Sequence, residues 1–476
     1  ANAALRRGTL EYDRRHAYRG PEAVVQIPVD ASALALEEAL AERDAINGLL
    51  PAIVLEASPS RVRVFVKGGE EATLTGEGLK FAQRSLLNSA PSAQRLVRGA
   101  IVRVAKNQKA EWEILQRPAV EAALIALSPK DGRVRALVGG FDFASNKFNH
   151  VTQALRQPGS SFKPFIYSAA LEKDFTPSTV LEDAPFLIDA DKTGGELWEP
   201  ENYDKRYEGP MRLRVALAKS KNMVSIRVID AIGTTYAQAY ITKFGFDPKL
   251  NPPVLTLALG AGQATPMQVA AGYAVFANQG FRVSPYFIDR IEDGNGKVLM
   301  KAQPKAVGSG AEQVLDPRNA FLMTSMMKDV IRTGTAHRAT ALGRRDLAGK
   351  TGTSNESRDA WFAGYSPEIV AVSWMGFDTP ASLGEKETGA QAALPIWMAY
   401  MGGALKGIPE TKEQVPEGVV VVQVNPASGR RDPEGENRLA EYFYRENIPP
   451  LEPPKDVELQ SESADRPPED IKEQLY

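Results

Sequence analysis

The sequence predicts an α+β fold: a layered domain of strands and helices, preceded by a smaller all-β module. Three observations carry this reading. Residues 48–118 break into short strand-like runs. Residues 122–140, AALIALSPKDGRVRALVGG, place the turn residues Pro129-Lys130-Asp131-Gly132 between two apolar strands. After a helical block, strand-like runs return near 350–376 (LAGKTGTS, DAWFAGYS, IVAVSWMGF). A hairpin, a helical block and a returning set of strands describe an α+β layered domain.

The elements follow in order. Residues 1–47 read as an interdomain linker, with a basic opening and then ASALALEEALAERDAI, whose apolar spacing suits a short amphipathic helix. Residues 48–118 contain PAIVLEA, RVRVFVKG, EATLTG, GAIVRVAK and AEWEILQRP. Arg61 to Val66 alternate with partial period 2. Five short strands in this span suggest a small OB-like β-barrel. Residues 119–430 form the layered domain. Residues 431–476 form a C-terminal extension ending in PPLEPPKDVELQSESADRPPEDIKEQLY, an acidic, Pro-rich tail without apolar periodicity.

Composition excludes several classes of function. At 476 residues the chain has room for two or three domains, and a hydrophobic fraction of 43% supports a sizeable core. Fifty-seven Lys plus Arg against 59 Asp plus Glu leave a net charge of −2, which argues against a nucleic-acid partner. Cysteine is absent, which removes disulfides, thiolate nucleophiles and Cys-ligated metals together. The three histidines, His16, His150 and His337, have no metal-ligand spacing, so neither a metal nor another cofactor is expected. No run approaches the roughly 20 apolar residues that cross a bilayer. The opening ANAALRRGTLEYDRRHAYRGPE lacks a signal-peptide core and reads as cut from a longer chain, so this piece is expected to be soluble.

Three short motifs, in a fixed order along the chain, carry the chemistry. They are Ser160-Ser161-Phe162-Lys163, Ser220-Lys221-Asn222 and Lys350-Thr351-Gly352. Each alone is weak, and the chain holds decoys. Ser325-Met326-Met327-Lys328 repeats the first pattern inside NAFLMTSMMKDVI, where Met and Leu at helical spacing read as core. Lys192-Thr193-Gly194 repeats the third in a polar stretch that precedes the Ser-x-Asn. Only Ser160 heads an ordered triplet.

Pro158-Gly159 breaks the chain before Ser160, and FKPFIYSAALEK then reads as a helix. Ser160 is thereby predicted at a helix N-terminus, where free N–H groups and the dipole favour developing negative charge. Lys163, three residues on, shares its helical face. An amine desolvated there has a depressed pKa and can take the hydroxyl proton. Ser220 can relay a proton to the leaving amine, and Asn222 can hydrogen-bond a substrate amide. Lys350-Thr351-Gly352-Thr353 reads as an edge strand along which a peptide can lie, with Gly352 leaving room for its approach. Lys350 and the threonine hydroxyls suit a terminal carboxylate, although strict alternation puts Thr351 on the face opposite Lys350. The backbone N–H groups of Ser160 and Thr353 are the expected oxyanion hole.

With these residues in view, the chain resembles the class A penicillin-binding proteins, of the 1a type. The likeness extends to RRGTLEYDRRHAYRGPE, RQPGSSFKPF, WEPENY at 198–203, LALGAGQATPMQVAAGYAVFANQG at 257–280, RTGTA at 332–336 and GKTGTSNESRDAWFAGY at 349–365. It implies a penicillin-binding transpeptidase fold, with a five-stranded sheet between helical layers, beside an OB-like domain. It implies a D-alanyl-D-alanine peptidoglycan stem peptide as acyl donor, an amine on a neighbouring stem as acceptor, and β-lactam antibiotics as inhibitors. Such proteins are anchored in the bacterial inner membrane, face the periplasm and carry a glycosyltransferase domain. A regulatory protein is a candidate partner for the OB-like domain.

Three other readings share the triplet. A serine β-lactamase is smaller, lacks the extra β module and needs a deacylating carboxylate. A D,D-carboxypeptidase differs only in letting water attack the acyl-enzyme. A β-lactam sensor or binding module acylates without turnover.

Overall fold

The computed structural model describes residues 1–185 and 199–453. The Lys192-Thr193-Gly194 decoy, the first residue of WEPENY and the tail from residue 454 lie outside the described residues.

The β module is a six-stranded antiparallel sheet. Strands β1 (Ala23–Val24), β2 (Leu50–Ala57), β3 (Arg61–Val66), β4 (Glu70–Thr75), β5 (Ala100–Lys106) and β6 (Trp112–Leu115) run in the order β1-β5-β2-β3-β4. β6 lies beside β5, further along the same edge as β1. Alternation explains one core directly. Val62, Val64 and Val66 point with Leu74, Val102 and Ile114 into one apolar cluster. Phe65, of opposite parity, packs with Ile53 and Ile101 against Leu36 and Leu40.

Residues 1–47 are not a bare linker, because each part buries its apolar side chains on a neighbour. Helix α1 (Asn2–Arg15) was expected only as a basic stretch; it buries Leu5, Leu10 and Tyr12 in the core of the layered domain. β1 joins the β module, which therefore has one strand more than expected. The amphipathic segment forms a shorter helix, α2 (Ala33–Ala39), capped by the Ser32 hydroxyl accepting from the Ala35 N–H at 3.3 Å.

The layered domain is built on five antiparallel strands. They are β7 (Glu121–Leu127), β8 (Val134–Val138), β11 (Ala348–Thr353), β12 (Asp359–Tyr365) and β13 (Val370–Gly376), in the order β11-β12-β13-β7-β8. A separate ribbon pairs β9 (Val180–Asp183) with β10 (Gly209–Arg212). β12 and β13 are buried along their whole length, hence their near-continuous apolar sequences. Helices α7 (Pro266–Ala277) and α8 (Pro317–Arg332) cover one face; α1 and α9 (Leu394–Ala404) cover the other. Helix α3 (Lys163–Leu171) packs on α5 (Asn222–Ile232) and α8. Helices α4 (Leu213–Lys219) and α6 (Thr234–Ile241) complete the helical block. No described helix is long and apolar enough to cross a membrane.

The boundary expected at residue 430 falls inside a hairpin, because β14 (Val419–Val424) pairs with β15 (Leu439–Tyr444) in full register. Glu441 of β15 is buried and accepts from Arg214 Nε at 2.7 Å, which ties this hairpin to α4.

Candidate active site

The site forms where α3, the α4–α5 turn and the edge strand β11 meet. Gly159 to Phe162 make one 3₁₀ turn running directly into α3, so Ser160 precedes the α-helix and Lys163 is its first residue. Ser160 is part-exposed, whereas Lys163 is fully buried. Gly159 has φ +55°, and an added Cβ there would lie 2.5 Å from the Thr353 carbonyl oxygen and 3.0 Å from its nitrogen. This close approach, open only to glycine, sets the Ser160 turn against the end of β11.

Gly352 completes the packing. Its added Cβ would meet the Pro158 carbonyl oxygen at 2.4 Å and the Ser161 nitrogen at 3.0 Å. The space it leaves is filled by the Ser160 turn, not kept open for a substrate as its place on an edge strand suggested. The Tyr273 hydroxyl donates to Ser161 O at 2.6 Å and Trp361 Nε1 to Gln157 O at 2.8 Å, which fixes the turn from two further elements.

Ser220 terminates α4 in the left-handed region, at φ 61° and ψ 36°. A non-glycine residue held there is strained, and such strain concentrates at functional positions. The conformation presents both oxygens of Ser220 to lysines. Lys163 Nζ donates to Ser220 O at 2.6 Å and to Asn222 Oδ1 at 2.8 Å, with Ser220 Oγ at 3.4 Å. Lys350 Nζ donates to the same Ser220 Oγ at 2.8 Å and to Thr351 O at 3.1 Å. Lys350 is also fully buried, so its amine faces Ser220 and not the solvent edge.

Both amines are perturbed in the direction that general-base chemistry needs. Burial pushes Lys163 well below the usual lysine value; the neighbouring Lys350 charge pushes the same way, and Asp183 opposes. Burial alone lowers Lys350 to about 7. On the opposite face of β11, Thr351 Oγ1 lies 2.6 Å from Thr335 Oγ1, and Thr353 Oγ1 accepts from the Gly389 N–H at 3.1 Å.

The structure brings Ser160, Lys163, Ser220, Asn222, Lys350 and Gly352 together at one junction and places the Thr351 and Thr353 side chains on the opposite face of β11. The Ser325 decoy does not join them. Its hydroxyl accepts from Arg214 at 3.1 Å, and Lys328 pairs with Glu413. Sequence reasoning gave no role to Asp183, Asn202 or Thr335. Asn202 and Thr335 lie in WEPENY and RTGTA, so motif membership was a signal for them; Asp183 had none.

A Ser-x-x-Lys nucleophile turn, a Ser-x-Asn turn and a Lys-Thr-Gly edge strand beside an antiparallel sheet define the serine acyl-transfer proteins that react with penicillins. Residues 122–394 match the penicillin-binding protein transpeptidase domain, and residues 18–120 match the penicillin-binding protein OB-like domain. This chain belongs to the penicillin-binding protein transpeptidase family. Penicillin-binding protein 1A of Neisseria lactamica is 46% identical over 422 residues, 88% of this chain and 53% of that protein. Penicillin-binding protein 1A of Pseudomonas aeruginosa is 40% identical, over 94% of this chain and 61% of that protein. The chain spans about half the length of the first of these relatives. The crystal structure of penicillin-binding protein 1A from Haemophilus influenzae superposes with a TM-score of 0.87 at 34% identity, covering 94% of this chain and 70% of that one. The Mycobacterium tuberculosis PonA1 protein in complex with penicillin V superposes with a TM-score of 0.53 at 27% identity, over 66% and 84% of the two chains.

Proposed function

We propose that this chain is the acyl-transferring part of a peptidoglycan D,D-transpeptidase, with Ser160 as nucleophile. One observation carries the reading: two fully buried lysine amines meet at one serine, and one of them, Lys163, follows the part-exposed Ser160 by three residues.

A neutral lysine has two N–H donors and one lone pair. Ser220 O and Asn222 Oδ1 take both donors of Lys163, which leaves the lone pair for the Ser160 hydroxyl. Ser160 Oγ attacks the carbonyl carbon of the penultimate D-Ala while its proton passes to Lys163 Nζ. The tetrahedral oxyanion is held by the N–H groups of Ser160 and Thr353. As the intermediate collapses the C–N bond breaks, and the proton reaches the departing D-Ala amine from Lys163 through Ser220 Oγ. An amine of a neighbouring stem then attacks the ester carbonyl, gives up a proton along the same relay and restores Ser160.

The donor's terminal carboxylate is assigned to the Thr351 and Thr353 hydroxyls, with the Lys350 charge behind them. Gly389 donates to Thr353 Oγ1, so the Thr353 hydroxyl proton is free to be donated in turn. A β-lactam presents the same carboxylate and amide and stops at the acyl-enzyme. On this reading the complete protein works at the periplasmic face of the bacterial inner membrane, and the OB-like domain is a candidate site for a regulatory protein. Mass spectrometry after incubation with penicillin tests the assignment. An adduct on the Ser160 peptide, absent from Ser160→Ala, is expected; an adduct on Ser325 refutes it.

A further inference from the structure

We infer that Lys221, the middle residue of the Ser220-Lys221-Asn222 turn, is an electrostatic positioning residue: by pairing with the buried Asp183 carboxylate, it keeps that carboxylate from holding a proton on Lys163. The inference rests on Lys163 being the base.

Lys221 does not reach solvent. Its side chain is 3% exposed, and Nζ lies 3.2 Å from Asp183 Oδ2, 3.1 Å from Glu208 Oε1, 3.3 Å from Asp204 Oδ2 and 3.2 Å from the Arg206 carbonyl oxygen. Asp204 and Glu208 are partly exposed and therefore screened, and Glu208 also pairs with Lys219. Asp183 is fully buried at the end of β9, so its charge acts through low-dielectric surroundings. Among the described residues its remaining hydrogen bonds come from the Asn202 Nδ2 donor at 2.6 Å and the Glu208 N–H at 3.0 Å, both neutral.

The cluster is wired to the base. Asn202 Oδ1 accepts the N–H groups of Asn222 at 2.8 Å and Met223 at 3.3 Å, which caps the first turn of α5 from a different segment. Asn222 Nδ2 donates to Glu201 O at 2.9 Å, so its Oδ1 is left to accept from Lys163. Among the described residues, the charged groups acting on Lys163 are Lys350 from β11 and Asp183 from β9, with opposite signs. Lys350 favours a neutral Lys163. Asp183, if unpaired, would favour the ammonium, which cannot accept the Ser160 proton. Lys221 offsets Asp183 without touching Lys163.

The test is the pH dependence of the second-order acylation rate with a chromogenic cephalosporin, from about pH 5 to about pH 10, together with thermal unfolding. Lys221→Met is expected to move the acid limb upward by about one pH unit, a loss of about tenfold in rate at fixed pH on the limb, with the alkaline plateau retained. Asp183→Asn moves the limb downward, and the double variant returns it to the wild-type position. Lys221→Arg keeps the charge and leaves the limb in place. Should Lys221→Met fail to fold, Lys221→Gln takes its place with the same expected upward shift. Limbs that stay fixed in both single variants, or a lowered plateau with a fixed limb, overturn the inference. Lys163→Ala, measured in parallel, separates the two claims: if it keeps the wild-type rate and limb, the base assignment itself falls.

Discussion

The OB-like module and the candidate acyl-transfer junction occupy one chain but bury opposite kinds of side chain. In the module the buried positions are mostly valine, leucine, isoleucine and alanine, with Tyr18 and Phe65, and most of its charges sit outside, as in the exposed Arg63–Glu56 and Lys80–Glu77 pairs, Arg103 being buried against Glu22. In the junction two lysines and an aspartate are fully buried, and a serine is held in a left-handed conformation. The module follows the ordinary rule that burial stabilises apolar surface. The junction departs from it, because desolvation is what lowers the lysines into a useful range. The difference teaches that the junction's geometry is overdetermined by its surroundings, through α3, α5, β11 and the β9 ribbon, while the module needs only its alternation.

The largest effect that would break this contrast is chemical. Lys163→Ala should lose acylation by a factor on the order of 10² or more, as expected for removing a general base. Folding should survive, since the substitution removes a buried amine. Stopped-flow acylation and a melting curve check both halves, and an unchanged rate would return Lys163 to the status of a packed lysine.

Lys350 sharpens the contrast on stability. Its pKa is about 7 folded, against 10.5 for the ordinary side chain. Below about pH 7 both states are protonated and the burial penalty is complete. Between about 7 and about 10.5 the unfolded chain holds a proton that the folded chain does not, so wild-type stability rises with pH. Lys350→Met should therefore be more stable than wild type by roughly 1–4 kcal/mol near pH 6, with the gain shrinking toward pH 10, while acylation is lost. A gain independent of pH would mean that Lys350 is not desolvated.

The module supplies the smaller effects. Ile114→Val, in its buried core, should cost about 0.5–1.5 kcal/mol in urea unfolding and leave the acylation rate unchanged. A matching loss of acylation would show that the two regions are energetically coupled. Arg63→Ala removes two exposed pairs, with Glu56 and Glu71, and should change stability by less than about 0.5 kcal/mol. A larger loss would show that this rim charge is part of a cooperative network.

Much of this was legible before any coordinates. Period-2 alternation found β3, and turn chemistry at Pro129–Gly132 found the β7–β8 hairpin. The ordered triplet picked out Ser160, Lys163, Ser220, Asn222 and Lys350 as candidates, because acyl transfer needs those residue types whatever the fold, and the structure brings them to one junction. Helix α1 escaped because its few apolar residues lie among arginines, and its buried stripe makes sense only against α9 and β7. The β14–β15 hairpin escaped because its second strand, LAEYFY, pairs across a polar loop that reads like the start of the tail.

The sequence by itself determined which side chains can do the chemistry and in what order they occur, since spacing within a motif is a local property. Tertiary structure alone decided what each of them faces. Gly352 opens onto the Ser160 turn and not the substrate; Lys350 reaches Ser220 across 130 residues of chain; and Asp183, which no motif marks, sits among the charges that govern Lys163. The physical reason is that desolvation and charge pairing depend on every element packed around a group, and those elements come from distant parts of the chain.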